Sequence, residues 1–222
     1  MKIIEIFKSI QGEGTRSGIA TSFIRFYGCN LNCSWCDTKY SNDETQAYEA
    51  LPAEIVGQIR LHGTTHLCIT GGEPLLSERE LFDLLDLILK ENIIEDVAIE
   101  TNGSLNVAEV CQYRKDKSQK ISIIIDYKLN SSQMTAQMDE DNFSLLSETD
   151  ELKFVVASKL DFLQAQEILK KYYKKGIVLF SPVINLFSPA QLAEEILSCN
   201  DFSCKLSLQI HKYIWPSEIR SK

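Results

Sequence analysis

Residues 66–88, HLCITGGEPLLSERELFDLLDLI, decide the architecture. The apolar run over 66–70 has the length of a strand, and Gly71, Gly72 and Pro74 stop it and turn the chain. Ser77 and Glu80 then have the spacing of a capping box, and Leu81, Leu84, Leu85 and Ile88 fall on one face of the helix it would open. A strand that leaves through a glycine turn into an amphipathic helix is one unit of a parallel α/β sheet.

The same unit recurs on both sides of this stretch. Further strands are expected over 21–27, 96–100, 121–126, 151–156, 177–180 and 205–210. Helices are expected over 53–61, where Ile55 and Ile59 lie four apart behind Pro52, and over 159–174, ended by Gly176. Another opens at Pro189, with Ser188 and Gln191 as a second capping box and Leu192 and Ile196 on one face. These units are too few for a closed eight-fold barrel of about 250 residues. The expectation is an α/β fold of one domain over residues 1–222, an incomplete, open TIM-like barrel.

Composition narrows the function classes. The 222 residues carry a net charge of -8, which suits a polyphosphate backbone poorly because such binding needs clustered Lys and Arg. The one basic cluster, Lys170, Lys171, Lys174 and Lys175, falls at a helix end, where cations complement the dipole and are solvated. No apolar stretch approaches the ~20 residues of a membrane helix. A small-molecule substrate is expected, with no direct nucleic-acid partner and no membrane partner. Seven cysteines are an odd number, and with no secretory segment ahead of them they point to a reducing cytoplasm rather than to a disulfide framework.

In parallel α/β sheets, function gathers at the C-terminal ends of strands. The motifs fall there: GCNLNCSWCDT (28–38) after the first expected strand, TGGEP (70–74) after the second, Glu100 to Gly103 after the third, and Asp126, Tyr127 and Lys128 after the fourth. Cys29, Cys33 and Cys36 have C-x-x-x-C-x-x-C spacing. Three thiolates on a four-iron cluster leave one iron open to a small chelator, such as the amino and carboxylate groups of S-adenosylmethionine. The rival is a closed zinc site in a non-catalytic protein, which would need a distant fourth ligand such as Cys68 or His66 because only one C-x-x-C is present. His62 and His66 have no motif around them and read as surface or packed residues.

The three cysteines, with Trp35 and Asp37 around the last of them and TGGEP beyond, resemble the radical S-adenosylmethionine superfamily. With SIQGEG (9–14), FIRFYGC (23–29), CDTKY (36–40), IETNG (99–103) and LQIHKY (208–213), the chain is similar to the 7-carboxy-7-deazaguanine synthase family, densely over 3–38 and in patches to about residue 213. The resemblance implies a barrel of the radical S-adenosylmethionine type and a [4Fe-4S] cluster on Cys29, Cys33 and Cys36. It implies S-adenosylmethionine contacts from Trp35, Cys36, Asp37, Gly72, Glu73, Glu100, Asp126 and Lys128. A side chain at Gly72 would obstruct the cofactor's amino group, and Glu73 would lie near that ammonium.

The resemblance also implies a pterin site formed by Ile10, Gln11, Gly12, Glu13, Arg25, Thr70 and His211. Glu13 suits adjacent N–H donors of a pterin edge, and Arg25 suits a substrate carboxylate. Thr38 would carry Mg2+, an ion that uses few protein oxygens and keeps substrate and water ligands. Trp35, with whichever of Phe23 and Phe26 faces inward, would shield the cluster; ordinary core packing is the other reading of the two phenylalanines. The implied reaction converts 6-carboxy-5,6,7,8-tetrahydropterin to 7-carboxy-7-deazaguanine with loss of ammonia. An external one-electron reductant such as flavodoxin and a homodimer are implied as partners. Asp126, Tyr127 and Lys128 stand where many relatives have Ser-Pro-Lys, and Trp215 to Lys222 run past the ends of some relatives. Glycyl-radical activases share the cysteine spacing, but QGEG and CDT point away from them.

Overall fold

The computed structural model describes residues 1–118 and 120–216. In chain order the elements are β1 (Lys2–Ile10), β2 (Ala20–Phe26), β3 (Tyr48–Glu49), α1 (Pro52–His62), β4 (His66–Gly71), α2 (Glu78–Glu91), β5 (Asp96–Thr101) and α3 (Ala108–Lys117). They continue as β6 (Ile121–Tyr127), α4 (Asn142–Leu145), β7 (Glu151–Val156), α5 (Lys159–Tyr172), β8 (Ile177–Pro182), α6 (Pro189–Ser198), β9 (Lys205–Leu206) and α7 (His211–Ile214). One sheet contains all the strands in the order β3-β1-β2-β4-β5-β6-β7-β8-β9. From β2 through β4 to β9 the neighbours are parallel, while β1 runs antiparallel to both β2 and β3. The sheet does not close on itself, so the architecture is the open β/α barrel expected from the sequence.

Alternation along each strand divides its two jobs. One face puts Ile24, Phe26, Leu67, Ile69, Val97, Ile99, Ile123, Ile125, Leu152, Phe154 and Phe180 into a common core with Leu81, Leu84, Leu85 and Ile88 of α2. Fully burying a side chain of this size contributes about 1.5–3 kcal/mol. The opposite face carries Phe23, Arg25, Cys68, Thr70, Ala98, Glu100, Ser122, Asp126, Glu151 and Lys153, and so lines the concave side with polar groups.

Several expected boundaries move. The strand expected over 205–210 stops at Leu206, because Ser207, Gln209 and Ile210 turn to the β1–β2 loop instead. Ser77 makes no side-chain cap; a 3-10 turn over Pro74–Ser77 comes first, and Glu73 caps that turn by accepting from Leu75 N–H at 3.0 Å. The second box forms as expected, with Gln191 N–H donating to Ser188 Oγ at 3.2 Å and Ser188 N–H to Gln191 Oε1 at 2.9 Å. β1, α3 and the short β3, α4 and α7 lie outside the expected elements. None of the described helices is long and apolar enough to cross a membrane.

The β1–β2 loop folds back into the open side of the barrel. Arg16 anchors it at the N-terminal ends of the strands, donating to Asp96 Oδ1 at 2.8 Å, Glu151 Oε1 at 3.0 Å and Ser122 Oγ at 2.7 Å. The segment before β2 is thereby held inside the sheet's concavity. From the other side the chain end docks on it: Gly14 N–H donates to Ser207 Oγ at 3.0 Å and Ile210 N–H to Gly12 O at 2.9 Å. A Cβ at Gly12 would lie 2.0 Å from His211 Nδ1, so only glycine admits that ring.

Candidate active site

The cysteine loop leaves β2 at Gly28, whose φ of 91° favours glycine. Loops after three strands grip it. From β4, Glu73 N–H donates to Gly28 O at 2.7 Å and Gly72 N–H to Phe26 O at 3.1 Å. From β5, Asn102 Nδ2 donates to Asn30 Oδ1 at 3.0 Å and lies 3.6 Å from Cys29 Sγ. From β6, Ser34 N–H donates to Ser132 O at 3.1 Å and Trp35 Nε1 to Ser131 Oγ at 3.3 Å.

Gly72 has a structural reason besides the expected cofactor one. A Cβ there would lie 1.9 Å from the Gly28 carbonyl oxygen, so the glycine is required by the approach of two backbones. Glu73 is 1% exposed; Oε1 accepts from Leu75 N–H and Thr101 Oγ1, and Oε2 from Asn102 N–H. Its carboxylate ties the two loops together.

Cys33 is buried, and Cys29 and Cys36 are half-buried. Burial, followed by contacts that partly offset it, pushes the Cys29 and Cys33 thiols above their ordinary pKa, and the thiols feel one another's charge. Leu31 N–H donates to Cys29 Sγ at 3.4 Å, the kind of bond that steadies a thiolate ligand. Among the described residues no three His, Cys, Asp or Glu side chains form a preformed metal cage. Cys68 lies instead on the barrel's inner face, where burial and then Glu100 drive its pKa well up, and His66 contacts Thr65. Neither supplies the fourth ligand of a zinc site.

The donor set fits an iron-sulfur cluster with S-adenosylmethionine. Three thiols on one short loop leave one iron position for a chelator. Beside them Lys128 Nζ sits 5.3 Å from the Trp35 ring centroid and 3.0 Å from Asp126 Oδ1. That Asp126 oxygen is buried and has no hydrogen-bond partner of suitable geometry, an acceptor that a cofactor hydroxyl would satisfy. Asp37 is exposed and paired with Lys212 at 3.1 Å. Thr38 Oγ1 lies 3.6 Å from Cys36 Sγ.

The expected substrate residues line the adjoining concavity. Gln11 Nε2 reaches Glu100 Oε1 at 3.4 Å, and Thr70 Oγ1 donates to Glu100 Oε2 at 2.9 Å. Glu100, expected on the cofactor, thus meets the residues expected on the substrate. Arg25 lies beside Thr70 in the strand register and donates through Nε to Glu5 Oε1 at 2.7 Å, where Tyr40 OH also donates at 2.8 Å. His211 packs over Gly12, and burial lowers its pKa. Ile10 ends β1 at the root of the loop.

Glu13 accepts from Lys153 Nζ at 2.7 Å and from Gln209 Nε2 at 2.6 Å. Burial alone would raise its pKa, but Lys153, together with Gln209 and His211, outweighs it and brings the carboxyl down to about 2. Lys153 and Gln209 had escaped the sequence reading. The signal for Lys153 was a lysine inside the otherwise buried strand ELKFVV. Of the two phenylalanines, Phe26 belongs to the helix-side core, while Phe23 stacks on Phe7 at 4.9 Å on the other face.

Residues 23–196 match the model of the Radical SAM superfamily, a span holding the cysteine loop, the glycine turn and Asp126 to Lys128. The fold and site are those of a radical S-adenosylmethionine enzyme. The chain is 37% identical over 217 residues to 7-carboxy-7-deazaguanine synthase of Clostridium acetobutylicum, covering 96% of each chain. It is 37% identical to the Methanospirillum hungatei synthase, over 96% of this chain and 85% of that one, and 32% identical to that of Koribacter versatilis, over 99% of each. In fold it resembles the crystal structure of QueE from Escherichia coli, with a TM-score of 0.73 at 24% identity over 93% of this chain and 92% of that one. The chain belongs to the 7-carboxy-7-deazaguanine synthase family.

Proposed function

We propose that this chain converts 6-carboxy-5,6,7,8-tetrahydropterin to 7-carboxy-7-deazaguanine with loss of ammonia, on the route to queuosine and related deazapurines. The observation that carries this reading is the convergence of three parts on one crevice at the strand ends. They are the three-thiol loop, the Asp126–Lys128 pair beside Trp35, and the QGEG segment beneath His211. A [4Fe-4S] cluster held by Cys29, Cys33 and Cys36, with S-adenosylmethionine bound beside it, would supply the hydrogen-abstracting radical chemistry that C6 of the pterin requires.

The protein's own part is placement and electrostatics. Cys29, Cys33 and Cys36 hold the cluster. Trp35, Asp37, Asp126 and Lys128 hold S-adenosylmethionine, while Gly72 and Glu73 keep their loop against the cysteine loop. Glu13, ionised beside Lys153, accepts N–H donors of the pterin edge, and Gln11, Thr70 and Glu100 form one hydrogen-bonded set alongside. Arg25 faces the substrate carboxylate, and the backbone from Ile10 to Gly12, with His211, encloses the ring. Thr38 would hold Mg2+, which would supply Lewis-acid polarisation of that carboxylate. An external one-electron reductant such as flavodoxin, a homodimer and a cytoplasmic location complete the reading.

Anaerobic incubation with the tetrahydropterin, dithionite, S-adenosylmethionine and Mg2+ tests it. Deazapurine in excess of S-adenosylmethionine consumed is expected, and Cys33→Ala should abolish it. Absence of product from iron-loaded enzyme would overturn the assignment.

A further inference from the structure

We propose that Lys153 is a positioning residue that couples the pterin subsite to the S-adenosylmethionine subsite, by joining Glu13 and Asp126 through one buried ammonium. The inference rests on the assignment of those two subsites given above. Lys153 comes from the middle of β7, where neighbouring positions are buried, and its side chain is 9% exposed. Its Nζ lies 2.7 Å from Glu13 Oε2 and 3.1 Å from Asp126 Oδ2. Each carboxylate spends its second oxygen outward: Glu13 Oε1 accepts from Gln209 Nε2 at 2.6 Å, and Asp126 Oδ1 faces Lys128 Nζ at 3.0 Å. The ladder therefore runs from the docked chain end, through the QGEG segment and the barrel's inner face, to Trp35 in the cysteine loop.

Such a ladder transmits binding because its members compete for one cation. N–H donors of a pterin arriving at Glu13 draw on the charge that Glu13 otherwise directs at Lys153. Lys153 then leans on Asp126, whose Oδ1 is a buried acceptor without a hydrogen-bond partner of suitable geometry. The cofactor site is thereby more ordered when substrate is present, and by linkage the substrate site is more ordered when cofactor is present. Burial works against the Lys153 ammonium, yet Asp126 and Glu13 together hold it charged, so the bridge persists across working pH.

The test is a binding titration of S-adenosylmethionine on anaerobically reconstituted enzyme, with and without 6-carboxy-5,6,7,8-tetrahydropterin. In the native enzyme the pterin should tighten S-adenosylmethionine roughly tenfold, within the usual range of coupled sites. Lys153→Met should reduce that ratio to near one and raise KM for pterin while the loaded cluster is retained, and Lys153→Arg should restore much of it. If Lys153→Met does not fold, Asp126→Asn cuts the same bridge on the cofactor side and should also abolish the coupling. Persistence of the native ratio in the folded variant would overturn the inference. An inactive native enzyme would instead overturn the assignment of the subsites, so the two failures are distinguishable.

Discussion

Glu73 Oε2 accepts the backbone N–H of Asn102 at 2.6 Å, joining the loop after β4 to the loop after β5. Asn102 in turn reaches toward Cys29 Sγ at 3.6 Å. A carboxylate from the glycine turn therefore sets the wall of the cysteine loop two connections away.

Glu73→Gln should be severely destabilising although it is nearly isosteric. All three donors, from Leu75, Thr101 and Asn102, point at its two oxygens, so the amide NH2 must face a donor. A loss of about 2–4 kcal/mol in urea unfolding is expected, with lower iron retention after reconstitution. Native-like stability would mean that the donors have other acceptors.

Gly72→Ala should separate the two loops, because its Cβ would meet the rigid Gly28 carbonyl at 1.9 Å. Overpacking of this kind costs roughly 1–3 kcal/mol. The larger effect should be on cofactor chemistry, read as loss of bound iron together with weakened S-adenosylmethionine binding. A variant with full iron content and unchanged affinity would contradict the account of this glycine.

Glu13 gives a pH dependence with a definite sign. Its pKa falls from an ordinary 4.5 to about 2 in the fold, so the ionised form is favoured and its contribution is complete above pH 4.5. That contribution is lost as pH falls from 4.5 through about 2. The stability gap between the native protein and Glu13→Gln should be up to about 3 kcal/mol at neutral pH and narrow steadily as pH falls from 4.5 toward 2. Urea unfolding across that range measures it, and a constant gap would show that the ion pair with Lys153 is not its source.

Asp150, wholly buried, accepts from Arg114 Nη1 at 2.5 Å, Ile123 N–H at 2.8 Å, and Ser147 N–H and Oγ at 2.7 and 2.8 Å. Asp150→Ala strands a buried guanidinium between α3 and β6, and should cost roughly 3–5 kcal/mol. Because the pair lies outside the crevice, S-adenosylmethionine affinity at low temperature should be unchanged. A loss of affinity without a loss of stability would contradict a purely structural role.

The parallel strands were legible because each buries an Ile- or Val-rich face, as in 121–127 and 151–156. α3 was not, because AEVCQYRKDK buries only Val110, Cys111 and Arg114 and shows no wide apolar stripe. β1, KIIEIFKSI, mixes charges into its apolar run and pairs antiparallel, against the pattern of the other core strands. At the site, motif residues on the loops were readable from local sequence. Lys153 and Gln209 were not, since their roles exist only when residues 140 and 196 positions away from Glu13 are brought to it.

The most direct test of the central claim is electron paramagnetic resonance of the anaerobically reconstituted, dithionite-reduced protein before and after S-adenosylmethionine is added. A cluster held by Cys29, Cys33 and Cys36 alone should give a [4Fe-4S]+ signal whose line shape changes on addition, and Cys33→Ala should give none. A signal that S-adenosylmethionine leaves untouched, or a colourless protein carrying zinc, would contradict it.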